Sequence, residues 1–403
     1  MNAILGELGK SPKFCEYIKN IEQKISPISI WGLNDVGAAQ ILQATAEFSK
    51  KPICIITYNE IQAKQIIENL KYFSDKIVYF PKKEIVTYDY IAESKNLPYE
   101  RIEALNQKKR KKNLIVVTTI ESLMQKIPSK EVLYKNELNF KIGDSYKIEE
   151  LKQKLIDLGY TRYDLIDGRG QFSVRGGIID ISINNVQGVR IEFWGDEIDS
   201  IRLFNIVSQR STENVEKFTI YPAHEYVLEN NIETVCKNIQ EKVYSSVLEE
   251  KVEEDIEQIK NGNYISKIEK YFDDFYSNQT NLLSYLSEKY LIYIDEISKV
   301  RQRAINIAKD NENIEMLLTE KEKIVPEAIR NMYTIVEIEE TLDRKQIVYL
   351  EKQDRTKTLQ ATEYNFVYKD KNYFKSEIEA LIKDINKAQA EQKNIYILVE
   401  NKE

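Results

Sequence analysis

The chain has 403 residues, 42% of them hydrophobic and 31% charged, with a formal charge of −7; at roughly 150 residues per domain this predicts two to four domains rather than one core. The acidic balance argues against a surface that is basic throughout for a nucleic acid backbone, and no apolar run approaches the ~18 to 20 residues that cross a bilayer. The N-terminal MNAILGELGKSPKF lacks the pattern of a secretory signal, and Cys15, Cys54 and Cys236 form neither a disulfide framework nor a CxxC zinc pair, so a reducing, cytoplasmic compartment is expected.

Residues 1–128 alternate strand-like apolar runs with amphipathic segments. ISPISIWG (25–32), KPICIITY (51–58), KIVYFP (76–81) and NLIVVTTI (113–120) read as buried strands. Between them, Ile61, Ile66, Ile67, Leu70 and Phe73 fall at helical spacing. Strands joined through helices of this length predict a parallel sheet with crossovers.

From about 140 to 222, within an expected domain of residues 129–225, the pattern shifts to period two, with a short helix ending at Gly159 before the strands. QFSVRGGIIDISI, GVRIEFWG and DEIDSIRLFNI read as antiparallel strands with tight connections such as Gly195-Asp196. This is expected to be a separate β-rich α+β domain inserted into the first. Residues 226 to about 330 are mostly helical, interrupted by the apolar strand YLIYIDE (290–296), and 226–373 is expected to be the second part of the first domain with a helical insertion. KQIVYLEKQ (345–353) and YNFVYK (364–369) follow as strands that could rejoin the first sheet. The segment 374–403 offers one helix and one strand, NIYILVE, which cannot bury a core alone. It is expected to be the start of a truncated next domain.

The loop in ISIWGLNDVGAAQ places Gly32 and Gly37 at the spacing of a phosphate-binding loop, G-x-x-x-x-G-K-[ST]. Ala38 and Ala39 stand where the phosphate-reaching lysine and the Mg²⁺-ligating hydroxyl belong, and Asp35 adds a negative charge, so nucleotide hydrolysis is not expected. The triplet Gly9-Lys10-Ser11 does not replace it, since Ile4 occupies the first glycine position. Asp295-Glu296, at the end of YLIYIDE, has the layout of the acidic strand end that holds Mg²⁺ in such ATPases; an ordinary strand end explains it as well. Lys108–Lys112 is a basic run that could touch phosphates, with a solvated helix end as the commoner explanation. His224 is the only histidine and is expected to be a partly exposed boundary residue; no catalytic triad and no metal site is expected.

GYTRYDLIDGRGQFSVRGGIIDIS (159–182) sets Arg162, Arg169 and Arg175 around a hairpin beside Phe172. Arginine and aromatic side chains on a rigid sheet edge suit a protein partner. Charge pairing inside the domain, with Asp164 or Asp167, explains the same arginines equally well.

That stretch, with GVRIEFWGDEIDSIRLFNIVSQRS (188–211), closely resembles the second domain of the bacterial transcription-repair coupling factors (Mfd), a domain shared with the excision-repair protein UvrB. The resemblance runs through FPKKEIVTYDY (80–90), VVTTIESLMQKIP (116–128), YPAHEY (221–226) and YLIYIDE, covering about residues 15–300 and thinning afterwards. It implies a helicase-like (RecA-like) domain with a degenerate P-loop, split by the β-rich domain, in an N-terminal module whose motor lies beyond Glu403. UvrB itself would carry an intact P-loop and a long damage-probing hairpin, for which IAESKNLPY after Tyr90 leaves no room. The family's second domain binds UvrA through arginines that match Arg162 and Arg175. A further basic position of UvrB is Ser173 here, a departure that could shift the contact toward Arg169 or Arg210. In the full-length family protein a C-terminal domain masks this surface.

The resemblance therefore implies a module without catalysis or cofactor that recruits UvrA to stalled RNA polymerase. DNA and RNA polymerase would be met through the rest of the full-length protein, a DNA translocase ATPase. The alternatives are a nucleic-acid-dependent ATPase fragment of the UvrB type and a general DNA-binding module.

Overall fold

The structure is a computed structural model describing residues 3–83, 97–110, 114–135, 137–261, 265–325, 331–353, 360–368 and 378–396. Its strands are β1 (Ile28–Trp31), β2 (Ile53–Thr57), β3 (Ile77–Phe80), β4 (Ile115–Thr119), β5 (Ile127–Pro128), β6 (Leu138–Lys141), β7 (Thr161–Arg162), β8 (Gln171–Arg175), β9 (Ile178–Ser182), β10 (Gln187–Trp194), β11 (Glu197–Asn205), β12 (Ser211–Asn214), β13 (Lys217–Ile220), β14 (Gln279–Thr280), β15 (Leu291–Asp295), β16 (Gln346–Glu351) and β17 (Thr362–Asn365). The first sheet has seven strands in the order β17-β1-β16-β15-β2-β4-β3, every pairing parallel. Its strands come from both sides of the β-rich segment, whose own six-stranded sheet runs β12-β11-β10-β9-β8-β7.

A parallel sheet covered on both faces needs strands that are apolar on both faces. β2, β4 and β15 are buried at every residue. Alternate side chains feed two cores: Cys54, Ile56, Val116, Ile292 and Ile294 enter one, while Ile53, Ile55, Val117, Leu291 and Tyr293 enter the other. Asparagine side chains start two of the covering helices. Asn34 caps Asp35–Ser49 by accepting from the Gly37 N–H at 2.7 Å, and Asn59 caps Glu60–Lys71 by accepting from the Gln62 N–H at 2.8 Å.

Between β13 and β15 the chain builds a third core from helices, chiefly Ile232–Glu241 and Ser246–Lys260, around Val235, Ile239, Leu248, Val252, Phe272 and Tyr276. The last strand differs from the expected 364–369: β17 spans Thr362–Asn365 and pairs only with β1. Beyond Asn365 the chain leaves the sheet to cross the loop after β1, with the Tyr368 N–H donating to the Gly32 carbonyl at 2.9 Å. The helix Ile378–Ala390 has no buried residue. Of the strand expected over NIYILVE, residues 394–396 are not in a strand and 397–400 lie outside the described residues, as do 84–96 and Lys111-Lys112.

Candidate functional site

The six-stranded sheet buries its main core on one face, with a small cluster of Phe204, Ile166 and Ile206 on the other. Phe172, Ile179, Ile181, Val189, Ile191 and Ile198 point into a core closed by Leu151, Leu155 and Leu158 from the helix Ile148–Asp157 and its end. The residues alternating with them form a more polar face, on which Ser173, Asp180 and Ser182 are themselves buried. On it Arg190 grips Asp180 with two bonds, at 2.7 and 2.8 Å, and Arg202 contacts Glu192. Neither pair stood out in the sequence, because their partners lie on neighbouring strands.

The four arginines singled out from the sequence fare differently. Arg162, on the edge strand β7, and Arg210, after β11, are exposed, and their side chains make no hydrogen bond or ion pair among the described residues. Arg175, at the end of β8, is exposed but oriented: its Nε and Nη2 donate to the Asp164 carbonyl at 3.0 and 2.7 Å. Internal pairing thus holds for Arg175, through the main chain of Asp164 rather than its carboxylate. Arg169 reaches away from this group, with Nη1 on Glu100 and Nε on Glu103, both at 3.0 Å, on the helix Leu97–Arg110. Its charge is already matched within the chain.

Two expectations are corrected. Phe172 is fully buried, because period two turns it into the core while Gln171 and Ser173 face the other way, so it supports the arginines from beneath and does not itself face a partner. His224 is also buried, not partly exposed. Its Nδ1 accepts from the Tyr226 N–H at 3.2 Å, and loss of hydration pushes the imidazole down to about 4, against the pull of Glu225. The ring fills the space above Gly159, where a Cβ would come within 2.4 Å of Nε2; at φ +85° only glycine is at ease there.

Sequence reasoning missed the apolar members of the exposed surface. Tyr163 and Leu165 flank Asp164, whose carbonyl holds Arg175, and both are about half exposed. Trp194 is 84% exposed at the tip of the β10–β11 hairpin. The signal was present: Trp194 shares its strand face with the charged Arg190 and Glu192, not with Val189, Ile191 and Phe193.

On the first sheet, the loop after β1 brings together Gly32, Asn34 and Gly37, with Ala38 half-buried and Ala39 buried in the first turns of the helix. Asp295 and Glu296 end β15, both buried. Burial first, and the Glu296 charge second, push the Asp295 carboxyl up to about 7, with Gln62 pulling the other way. Its Oδ2 has no hydrogen-bond partner among the described residues. Among these residues no group of His, Cys, Asp or Glu is arranged to hold a metal ion, and no helix is long and apolar enough to cross a membrane.

Residues 138–226 match the family described as UvrB interaction domain, the segment from β6 to the residues just after β13. The transcription-repair-coupling factor of Bacillus subtilis (strain 168) is 26% identical over 340 residues, covering 81% of this chain and 29% of that protein. That of Staphylococcus aureus (strain bovine RF122 / ET3-1) is 25% identical over 298 residues, covering 70% of this chain and 25% of the relative. The counterpart in Staphylococcus haemolyticus (strain JCSC1435) is 26% identical over 289 residues, with 68% and 25% covered. The chain thus spans less than a third of the length of these relatives. Over most of its length the chain is similar to part of the transcription-repair-coupling factors, and residues 138–226 match the UvrB interaction domain.

Proposed function

We propose that this chain is the N-terminal, UvrB-like module of a transcription-repair coupling factor and recruits the damage-recognition protein UvrA through its β-rich domain. What carries the reading is the coincidence of the matched segment 138–226 with an exposed edge bearing Arg162, an oriented Arg175, Tyr163 and Leu165. An arginine held by a carbonyl keeps further N–H groups for a partner's carboxylate, and semi-exposed aromatic and aliphatic side chains beside it supply area that partner binding can dry. Ser173 is buried and contributes nothing to this edge.

The seven-stranded sheet is then a RecA-like scaffold whose P-loop is degenerate. Ala38 and Ala39 supply neither a phosphate-reaching cation nor a Mg²⁺ ligand, which supports a module without ATPase activity or cofactor. RNA polymerase and DNA would be engaged through other parts of a full-length, cytoplasmic translocase.

The test is a calorimetric titration of the chain with UvrA from the same organism, using wild type, Arg162→Glu and Arg175→Glu, each first shown to be folded. We expect saturable binding, weakened by about thirtyfold or more in each variant, the effect of about 2 kcal/mol at an interface anchor. Binding unchanged by both substitutions would move the site off this edge. Turnover of ATP by the wild-type chain would favour the ATPase alternative instead.

A further inference from the structure

The glycines of the loop after β1 have an occupant within the chain itself. In a phosphate-binding loop, glycines let the anion approach the backbone N–H groups at the helix start. Here segment 365–368 makes that approach. A Cβ on Gly32 would lie 2.6 Å from Asn365 Oδ1 and 2.9 Å from the Phe366 carbonyl oxygen, and a Cβ on Gly37 would lie 2.6 Å from the Tyr368 ring.

The contacts continue past van der Waals packing. Phe366 donates its N–H to the Trp31 carbonyl at 2.9 Å, and Tyr368 donates its N–H to the Gly32 carbonyl at 2.9 Å, so the segment is fastened at the start of the turn while the Tyr368 ring lies against Gly37 at its end. The Tyr368 hydroxyl then reaches Gln40 Oε1 at 2.8 Å, one helical turn past Gly37. The Gly37 N–H, one of the donors an anion would use, is taken by Asn34 Oδ1. Asp35, at the first helical position, adds a carboxylate within 3.9 Å of Lys352.

We propose that Asn365–Tyr368 is a built-in strap that closes the loop 32–37 to phosphate groups, independently of the missing lysine and hydroxyl at Ala38 and Ala39. Two separate features then keep nucleotide out: the side chains that would bind it are absent, and the space it would enter is filled. Restoring the loop chemistry alone should fail. The inference concerns the scaffold and does not depend on the partner of the β-rich domain.

The experiment compares Ala38→Lys/Ala39→Ser with the same pair plus Tyr368→Ala, titrating each 403-residue chain with a fluorescently labelled Mg-ATP. The strap predicts that the triple variant binds at least about tenfold more tightly than the double variant, a ratio of dissociation constants worth one decade. Equal behaviour of the two, whether both bind or neither does, overturns the proposal. A second measurement needs no nucleotide. Gly37→Ala should lower the melting temperature in the wild-type background, and by no more than half that amount when Tyr368→Ala has removed the ring. Tyr368→Phe, which keeps the ring and loses only the bond to Gln40, should leave the full drop in place. Equal drops in the wild-type and Tyr368→Ala backgrounds also overturn the strap.

Discussion

Arg101 donates from Nε to Glu225 Oε1 at 2.7 Å, and both residues are completely shielded from solvent. The pair joins the helix Leu97–Arg110 to the segment by which the chain leaves the β-rich domain. Around it Arg101 also donates to the Pro81 carbonyl and to Ser122 Oγ, and stacks over the Phe80 ring at 4.2 Å. Arg101 Nη2 and Glu225 Oε2 have no partner among the described residues.

A buried pair of this kind is costly to break from one side. Arg101→Met should destabilise the chain by about 3–5 kcal/mol, since it leaves the Glu225 charge buried without its cation. The double variant Arg101→Met/Glu225→Met should be more stable than Arg101→Met alone. Urea unfolding of wild type, Arg101→Met, Glu225→Met and the double variant measures this, and a double variant as unstable as the sum of the two singles would show that the residues act separately.

Arg169 separates a structural from a binding role. Its two bonds to Glu100 and Glu103 fasten the turn before β8 to the same helix. Charge-assisted bonds of this sort contribute about 1.5–3 kcal/mol each when well shielded, less where solvent reaches them. Arg169→Ala should therefore lower thermal stability while leaving affinity for UvrA, the proposed partner, within about a factor of two, well short of the effect of losing an interface anchor. A large loss of affinity with unchanged stability would restore Arg169 to the partner surface.

The pH dependence of stability has two opposed contributions. The folded His224 is depressed to about 4 from 6.5, so the stabilisation of its neutral form is complete above about 6.5 and is lost as pH falls toward 4. Asp295 runs the other way: raised from 3.8 to about 7, it contributes most below 3.8 and loses that contribution as pH rises through 7. Each shift corresponds to on the order of a few kcal/mol. Asp295→Asn should raise the melting temperature at pH 8 and steepen its fall between 6.5 and 4.5. His224→Gln should uncover the opposite slope. Melting curves across this range give the answer, and an Asp295→Asn profile parallel to wild type would contradict it.

Exposure makes the last prediction. Phe172→Ala should cost about 3–5 kcal/mol as a buried aromatic truncation, whereas Trp194→Ala, at an open hairpin tip, should change stability by no more than about 0.5 kcal/mol. Thermal unfolding of the two variants checks the contrast. Similar losses at both positions would mean that the two strand faces have been assigned wrongly.

The course of the chain was legible wherever one element carried its own periodicity. Residues 53–56 and 291–294 are hydrophobic throughout because both faces of the parallel sheet are covered. Residues 189–194 alternate because Val189, Ile191 and Phe193 enter the main core of the second sheet while Arg190, Glu192 and Trp194 lie on its more polar face. Less visible were pairings between segments distant in sequence: Arg169 with Glu100 and Glu103, Arg101 with Glu225, and Gly37 with Tyr368. Phe172 was misjudged although its strand was recognised, because proximity to arginines in sequence was taken for proximity on the surface, and adjacent strand residues point to opposite faces.

By itself the sequence determined the alternation of strands and helices, the change of period near residue 140 and the absence of a lysine and a hydroxyl at Ala38 and Ala39. These are local properties, set by side-chain spacing and residue type. Only the tertiary structure decided which arginines remain available, that His224 is stripped of water, and that the glycines of the loop after β1 receive Asn365–Tyr368. Burial and pairing depend on which distant segments the fold brings within a few ångströms, and no spacing along the chain encodes that distance.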